Sequence, residues 1–217
     1  KEPIDVTYDV DKINALLGID VSEDELKIIN SAPFQRLRNI HQLATTYLVY
    51  HGAEHTRFGH SIGVMHLTSR VFDSVTQKVP NIFSDDDNEN KRLTAWYRQL
   101  LRLIGLTHDL GHAPFSHASE ELFENGKQHE DYTKDIIFET EVADYINAIG
   151  VKFRSQYGTS YNITPELVWM IYEGKDITNE KFIFPDFLFL KSFMDGELDC
   201  DKMDYLLRDS LYCGVTY

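Results

Sequence analysis

The stretch Leu106-Thr107-His108-Asp109-Leu110-Gly111-His112-Ala113-Pro114-Phe115-Ser116-His117 decides how the rest of the chain is read. It closes a segment, Leu93 to Asp109, in which Tyr97, Leu101, Ile104 and His108 fall three or four residues apart. That spacing predicts an amphipathic helix with His108 at the end of its core-facing row. Neighbouring residues on a helix project about 100° apart. His108 and Asp109 therefore offer one imidazole nitrogen and one carboxylate oxygen suited to two cis positions on one octahedral metal ion. Gly111 is expected to let the chain turn sharply beside the pair. A lone His-Asp dipeptide arises often by chance, but here His112 and His117 bring two more imidazoles to the same place.

Outward from this block the signals are helical. Ser22 followed by Glu25 is a capping-box pattern that opens a helix over 23–30, and Pro33 starts a second, read over 34–43. From His60 to Val79 the residues Ile62, Met65, Val71, Phe72 and Val75 keep near-helical spacing until Pro80 stops them. The acidic run Asp85 to Asn90 reads as a solvated loop. Downstream, Ser116 to Asn125, His129 to Phe138 and Pro165 to Tyr172 read as helices. The last of these has Thr164 as N-cap, Glu166 in its first turn and Gly174 as its stop. Leu198 to Leu211 reads as the final one. With no repeat, no low-complexity tract and few alternating segments, the expected class is all-α, a helical bundle forming one domain over 1–217 around a single metal site.

Composition agrees and narrows the functions. A chain of 217 residues with 42% hydrophobic content can bury one proper core. Its net charge of -14, from 35 acidic and 21 basic residues, argues against a broadly basic nucleic-acid surface while leaving room for a small basic pocket. Two cysteines, Cys200 and Cys213, are too few for a disulfide framework. No apolar run approaches the roughly 20 residues that span a bilayer. The richest, Phe182 to Leu190, is broken by Pro185 and Asp186. With no signal-peptide pattern in a chain that begins at Lys1, a cytoplasmic location is expected.

Of nine histidines, His41, His51 and His66 stand apart from acidic clusters and read as surface or satisfied core residues. His117 and Glu120 are three residues apart and share a face, so the carboxylate can fix the imidazole's tautomer. Asp201, Tyr205 and Asp209 recur every four residues and line one helical face. Arg57 and Lys202 can bring positive charge to an anionic substrate.

Four motifs occur in order along the chain. They are Phe34-Gln-Arg-Leu-Arg38 with Gln42-Leu43, Gly52-Ala-Glu-His-Thr-Arg-Phe-Gly-His60-Ser61, the His108 to His117 block, and Asp199-Cys-Asp-Lys-Met-Asp-Tyr-Leu-Leu-Arg-Asp209. Together they resemble the HD-domain deoxynucleoside triphosphate triphosphohydrolases, the group that contains bacterial dGTPases and the SAM-and-HD-domain dNTPases. The resemblance implies one divalent metal ion held by His60, His108, Asp109 and Asp201. Two imidazoles and two carboxylates suit Mn, Fe, Mg, Ni or Zn without selecting among them.

The resemblance also implies roles around that ion. His117, assisted by Glu120, is the catalytic imidazole, with His112 and His129 near the phosphates. Arg57, Lys202 and Tyr205 bind phosphate, Gln42 and Asp209 meet the sugar 3′-hydroxyl, and Leu43 fills the space of a ribose 2′-hydroxyl. The implied reaction is water attack at the α-phosphorus of a dNTP, in a homo-oligomer, and the family's usual further C-terminal helices are expected to be lacking from the domain over 1–217.

Some positions depart from the family pattern. Ala44-Thr-Thr-Tyr-Leu48 replaces a glycine-rich stretch, and Asn30 stands where guanine-activated members have aspartate, so no activator site of that kind is expected. The family's usual opening is not recognisable in Asp5 to Asp11. Two other readings compete: an HD phosphohydrolase of another nucleotide, monophosphate or cyclic, and a nucleotide-binding regulatory module. The alarmone hydrolases' Glu-Asp pair is replaced by Gly111-His112, and no Gly-Tyr-Pro motif occurs.

Overall fold

The computed structural model describes residues 18–174 and 187–215. The Asp5 to Asp11 opening and most of the Phe182 to Leu190 run lie outside the described residues, so the 1–217 domain reading is described only in part. The described residues are helical, and their one β-type contact is an isolated antiparallel bridge between His41 and Thr56.

Helix α1 (Glu23–Asn30) begins with the expected capping box: Ser22 Oγ accepts from the Glu25 N–H, and Glu25 Oε2 accepts from the Ser22 N–H. Pro33 opens the short α2 (Ala32–Gln35), which tightens into a 3₁₀ turn at Arg36–Asn39 and ends there. The helix expected to reach Leu43 is therefore shorter. The Arg57 N–H donates to the Ile40 carbonyl at 2.9 Å and the Gln42 N–H to the His55 carbonyl at 3.0 Å, so the backbone after Ile40 is taken by a partner strand-like segment. Gln42 and Leu43 sit in the turn that follows.

Two long helices form the spine, α3 (Arg57–Lys78) and α4 (Asp87–Thr107). The acidic run before α4 is its N-terminus rather than a loop: Asp86 Oδ1 accepts from the Glu89 N–H at 2.7 Å, and Asp87 and Glu89 occupy the positive end of the helix dipole. The two helices are antiparallel and pack closely because Gly105 faces the Met65 backbone, where a Cβ would come within 3.1 Å. The same register sets His60 against His108, their rings 5.3 Å apart and edge to face.

Around the spine lie α5 (His129–Glu139), α6 (Glu141–Tyr157), α7 (Pro165–Glu173), the short α8 (Leu188–Lys191) and α9 (Cys200–Cys213). Ser116–Leu122 is 3₁₀ rather than the α-helix expected there. Helix α6 has no counterpart in the sequence reading, although Thr140 caps it and Val142, Ile146 and Ile149 form its buried stripe. One core joins these elements, with Trp96, Phe34, Phe72 and Phe187 among its largest fully buried side chains. Each such residue contributes roughly 1.5–3 kcal/mol. No helix among the described residues is long and apolar enough to cross a membrane.

Candidate metal centre and catalytic pocket

The centre forms where α3 begins and α4 ends. His108 is the C-cap of α4, and Asp109 lies in the turn beyond it rather than on the helix. His60, His108 and Asp109 are all buried, and their ligand atoms lie within 4.8 Å of one another. Asp109 Oδ2 is 3.5 Å from His60 Nε2, and its Oδ1 is 3.5 Å from His108 Nε2. Asp201, in the first turn of α9, brings Oδ1 to 2.9 Å from His60 Nε2 and 3.7 Å from His108 Nε2. Cis donors around an ion with bonds near 2.1 Å stand ~3 Å apart, so these separations suit one ion. His108 Nε2 is buried with no hydrogen-bond partner, as a ligand nitrogen would be.

Electrostatics favour a cation here. Burial alone would push the His60 pKa down, but hydrogen bonds to Asp201 and Asp204 and the nearby Asp109 carboxylate raise it to about 9. His108 is likewise raised, its burial outweighed by Asp109 and Asp201. Both carboxylates are held below their ordinary range: the imidazoles overcome desolvation at Asp201, and His108, Arg57 and His112 do so at Asp109.

Gly111 plays a different part from the sharp turn expected of it. Its φ is not in the left-handed region, and a Cβ there would meet the His129 carbonyl at 1.9 Å and the Thr133 nitrogen at 2.3 Å. Glycine thus lets the turn after Asp109 lie directly on the start of α5. Thr133 Oγ1 fastens it, accepting from the Gly111 N–H at 2.9 Å and donating to the His108 carbonyl at 3.2 Å. Arg36 holds the other side, donating to the carbonyls of Leu110 and His112. The left-handed residues are instead Phe115 and Ser116, with φ of 70° and 55°.

This arrangement gathers three histidines beside the first cluster. His112 stacks on His129 at 3.8 Å, and His117 meets both rings edge-on. Glu120 Oε1 accepts from His117 Nδ1 at 2.9 Å and from His129 Nδ1 at 2.7 Å, so one carboxylate orients two imidazoles. His112 is buried with Nε2 3.3 Å from Asp109 Oδ1, and burial pushes its pKa down to about 4.

Both clusters open onto one cavity of about 590 Å³. Gln42, Arg57, His112, His117, His129 and Tyr205 line it, as do the candidate ligands His108, Asp109 and Asp201. Arg57 is already engaged, donating to Asp109 Oδ2 at 2.5 Å and to Ser116 Oγ. Leu43, Lys202 and Asp209 do not line the cavity. Lys202 Nζ donates instead to Asp199 Oδ2 at 2.7 Å and to the Gly196 carbonyl at 2.6 Å. Asp209 Oδ1 accepts from His55 Nε2 at 2.8 Å.

Sequence reasoning did not single out His55, Asp204, Trp169, Tyr172 or Met194. His55 is buried beneath Tyr212, and Trp169, Tyr172 and Met194 form the less polar wall of the cavity. Asp204 lies within a quoted motif, but its partner His60 is on another helix. His41, read as unremarkable, pairs with Glu54 at 3.0 Å near the surface.

Residues 57–184 match the HD domain, a span that contains both histidine clusters. The chain belongs to the HD domain family. An uncharacterised Bacillus subtilis protein is 37% identical over 191 residues, covering 88% of this chain and 36% of that one. A Dictyostelium discoideum protein described as a deoxynucleoside triphosphate triphosphohydrolase SAMHD1 homolog is 31% identical, covering 90% of this chain and 35% of its own length. The crystal structure of a Bacteroides thetaiotaomicron phosphohydrolase is similar with a TM-score of 0.61 at 30% identity, over 91% of this chain and 41% of that one. The chain spans about a third of the length of these curated relatives, 36% and 35%.

Proposed function

We propose that this domain hydrolyses deoxynucleoside triphosphates to deoxynucleoside and inorganic triphosphate, using one divalent ion held by His60, His108, Asp109 and Asp201. The supporting observation is that the buried ligand cluster and the His112, His117 and His129 group share one cavity. When bound, the ion supplies Lewis-acid polarisation of a phosphoryl oxygen and activation of water.

The chain's own residues would do the rest. His112 and His129, stacked and held by Asp109 and Glu120, would border the phosphate oxygens. Arg57 reaches the same oxygens from the Asp109 side. The water oxygen joins the α-phosphorus and loses a proton, the bond to the 5′-oxygen breaks, and His117 Nε2 gives the departing oxygen a proton that the one released by the water replaces. Glu120 keeps His117 Nδ1 occupied, which leaves Nε2 for that transfer. Tyr205 and Gln42 border the space for phosphate and sugar, and Leu43, Lys202 and Asp209 would reach substrate only after small rearrangements. Assembly as a homo-oligomer is part of the same proposal, and light scattering tests it.

One observation favours a second reading, a less highly charged phosphate such as a nucleoside monophosphate. Among the described residues the cavity is lined by Asp109, Glu130, Asp131, Glu173, Asp195 and Asp201 against only Arg57 and Lys191, which is a poor field for a triphosphate until cations join it. Product analysis decides. Chromatography of each dNTP incubated with metal-loaded protein should show deoxynucleoside plus triphosphate. Release of orthophosphate from a monophosphate alone would replace the first reading with the second, and no turnover of any nucleotide would leave a binding module. Leu43→Gly should also relax deoxyribose preference by about 1–3 kcal/mol, the cost of an unpaired buried hydroxyl.

A further inference from the structure

We infer that Asp204 is a positioning residue that fixes His60 as a metal ligand, with Arg208 holding its carboxylate and Gly63 making room for the pair. The inference rests on the metal-centre reading above but not on the identity of the substrate.

His60 Nδ1 lies 2.8 Å from Asp204 Oδ2, and a carboxylate can only accept, so Nδ1 carries the proton. A neutral His60 then has its lone pair on Nε2, the nitrogen that faces Asp109 and Asp201. The wrong tautomer would put a proton where the ion must bind. His108 meets the same requirement by a different route, its Nδ1 donating to the Gly105 carbonyl at 2.8 Å within its own helix. His60 has no such carbonyl partner and depends on a side chain from α9.

That side chain is itself locked. Arg208, one turn along α9, donates from Nε and Nη2 to the two Asp204 oxygens, both at 2.8 Å, in a planar two-point fork. An exposed i,i+4 pair of this kind contributes little, but Asp204 is 7% exposed and is shared with a buried imidazole. Gly63 stands on α3 one turn after His60. A Cβ there would lie 2.0 Å from Asp204 Oδ1 and 2.5 Å from Arg208 Nη2, so any larger residue would push the carboxylate off His60. The helix that carries the ligand thus also carries the gap for its orienting partner.

The test uses the whole protein, titrated with Mn²⁺ or Co²⁺ against a competing chelator in the absence of nucleotide. Asp204→Leu should bind the ion about 10- to 100-fold more weakly, the usual effect of removing such a partner. Asp204→Asn, which keeps an acceptor oxygen for Nδ1, should stay much nearer to native affinity. In zinc-loaded, ¹⁵N-labelled protein the His60 Nδ1–H should give a slowly exchanging, downfield proton signal that Asp204→Leu abolishes and Asp204→Asn retains. Native affinity in Asp204→Leu, or an unchanged Nδ1–H signal, overturns the inference. If Asp204→Leu does not fold, Gly63→Ala and Arg208→Met decide: weakened affinity supports it, and unchanged affinity and signal overturn it. A native protein that takes up no divalent ion would overturn the metal reading and this inference together. Failure of dNTPs as substrates, with these affinity differences intact, would overturn only the substrate.

Discussion

The α3–α4 pair buries charge at two places and treats it in opposite ways. In the core, Arg102 donates to both Glu25 oxygens at 2.6 and 2.8 Å, to Ser69 Oγ at 2.8 Å and to the Asp20 carbonyl at 2.6 Å. Glu25 also accepts from Gln99 Nε2 and the Ser22 N–H, both at 2.9 Å. Every charge there has its partner within the chain. Near the metal centre, His108 Nε2, His112 Nδ1, Arg57 Nε and Gln42 Oε1 are buried with no hydrogen-bond partner. An unpartnered buried polar group costs about 1–3 kcal/mol, so a closed set marks a structural site and an open one marks a place built to receive something.

The largest expected contrast breaks the open set in two different ways. Asp201→Ala should abolish turnover and lower metal content together, because it removes a proposed ligand. His117→Ala should keep the metal and lose about two to four orders of magnitude in rate, because His117 lines the cavity, is 67% exposed and pairs with Glu120 rather than with Asp109 or Asp201. Elemental analysis beside the activity assay separates them. If His117→Ala sheds the metal as completely as Asp201→Ala, the two clusters are one site and the division fails.

Breaking the closed set should touch stability and leave the metal alone. Glu25→Gln strips Arg102 of its buried counter-charge and should cost about 3–5 kcal/mol in denaturant unfolding, with metal content unchanged. The pH dependence sharpens this. Burial would raise the Glu25 pKa, but Arg102 and the cap hydrogen bonds hold it below its ordinary 4.5. A depressed carboxylate stabilises the fold above its unfolded pKa and ceases to do so as pH falls through the folded one. The native advantage over Glu25→Gln should therefore be constant from neutral pH to about 4.5 and close below it. A gap that closes between pH 6 and 8 instead would assign the effect to a histidine.

The smallest effect is at the edge of the closed set. Ser22→Ala removes the side-chain cap of α1 and should cost about 1 kcal/mol, read as a shift in unfolding midpoint with no change in metal affinity. A loss several times larger would show that the cap and the Glu25–Arg102 pair act as one network.

Local chemistry made much of this legible in the sequence. The capping box at Ser22, the proline starts at Pro33 and Pro165, the stop at Gly174 and the i,i+3 pair His117–Glu120 all depend on neighbours a turn away, and each is where that logic places it. Motif order pointed to the four proposed ligands, since residues that hold one ion must be of fixed type wherever they lie along the chain.

What only the tertiary structure decided involves partners far apart in sequence. The helix after Pro33 ends early because residues 40 and 42 bond to 55 and 57. Gly111 is needed for contact with α5 rather than for a turn, Glu120 serves His129 as well as His117, Lys202 turns to its own N-cap, and Asp204 reaches back to His60. The physical reason is common to all of them: a hydrogen bond or close contact is set by position in space, and spacing along one element reports only the neighbours that element itself provides.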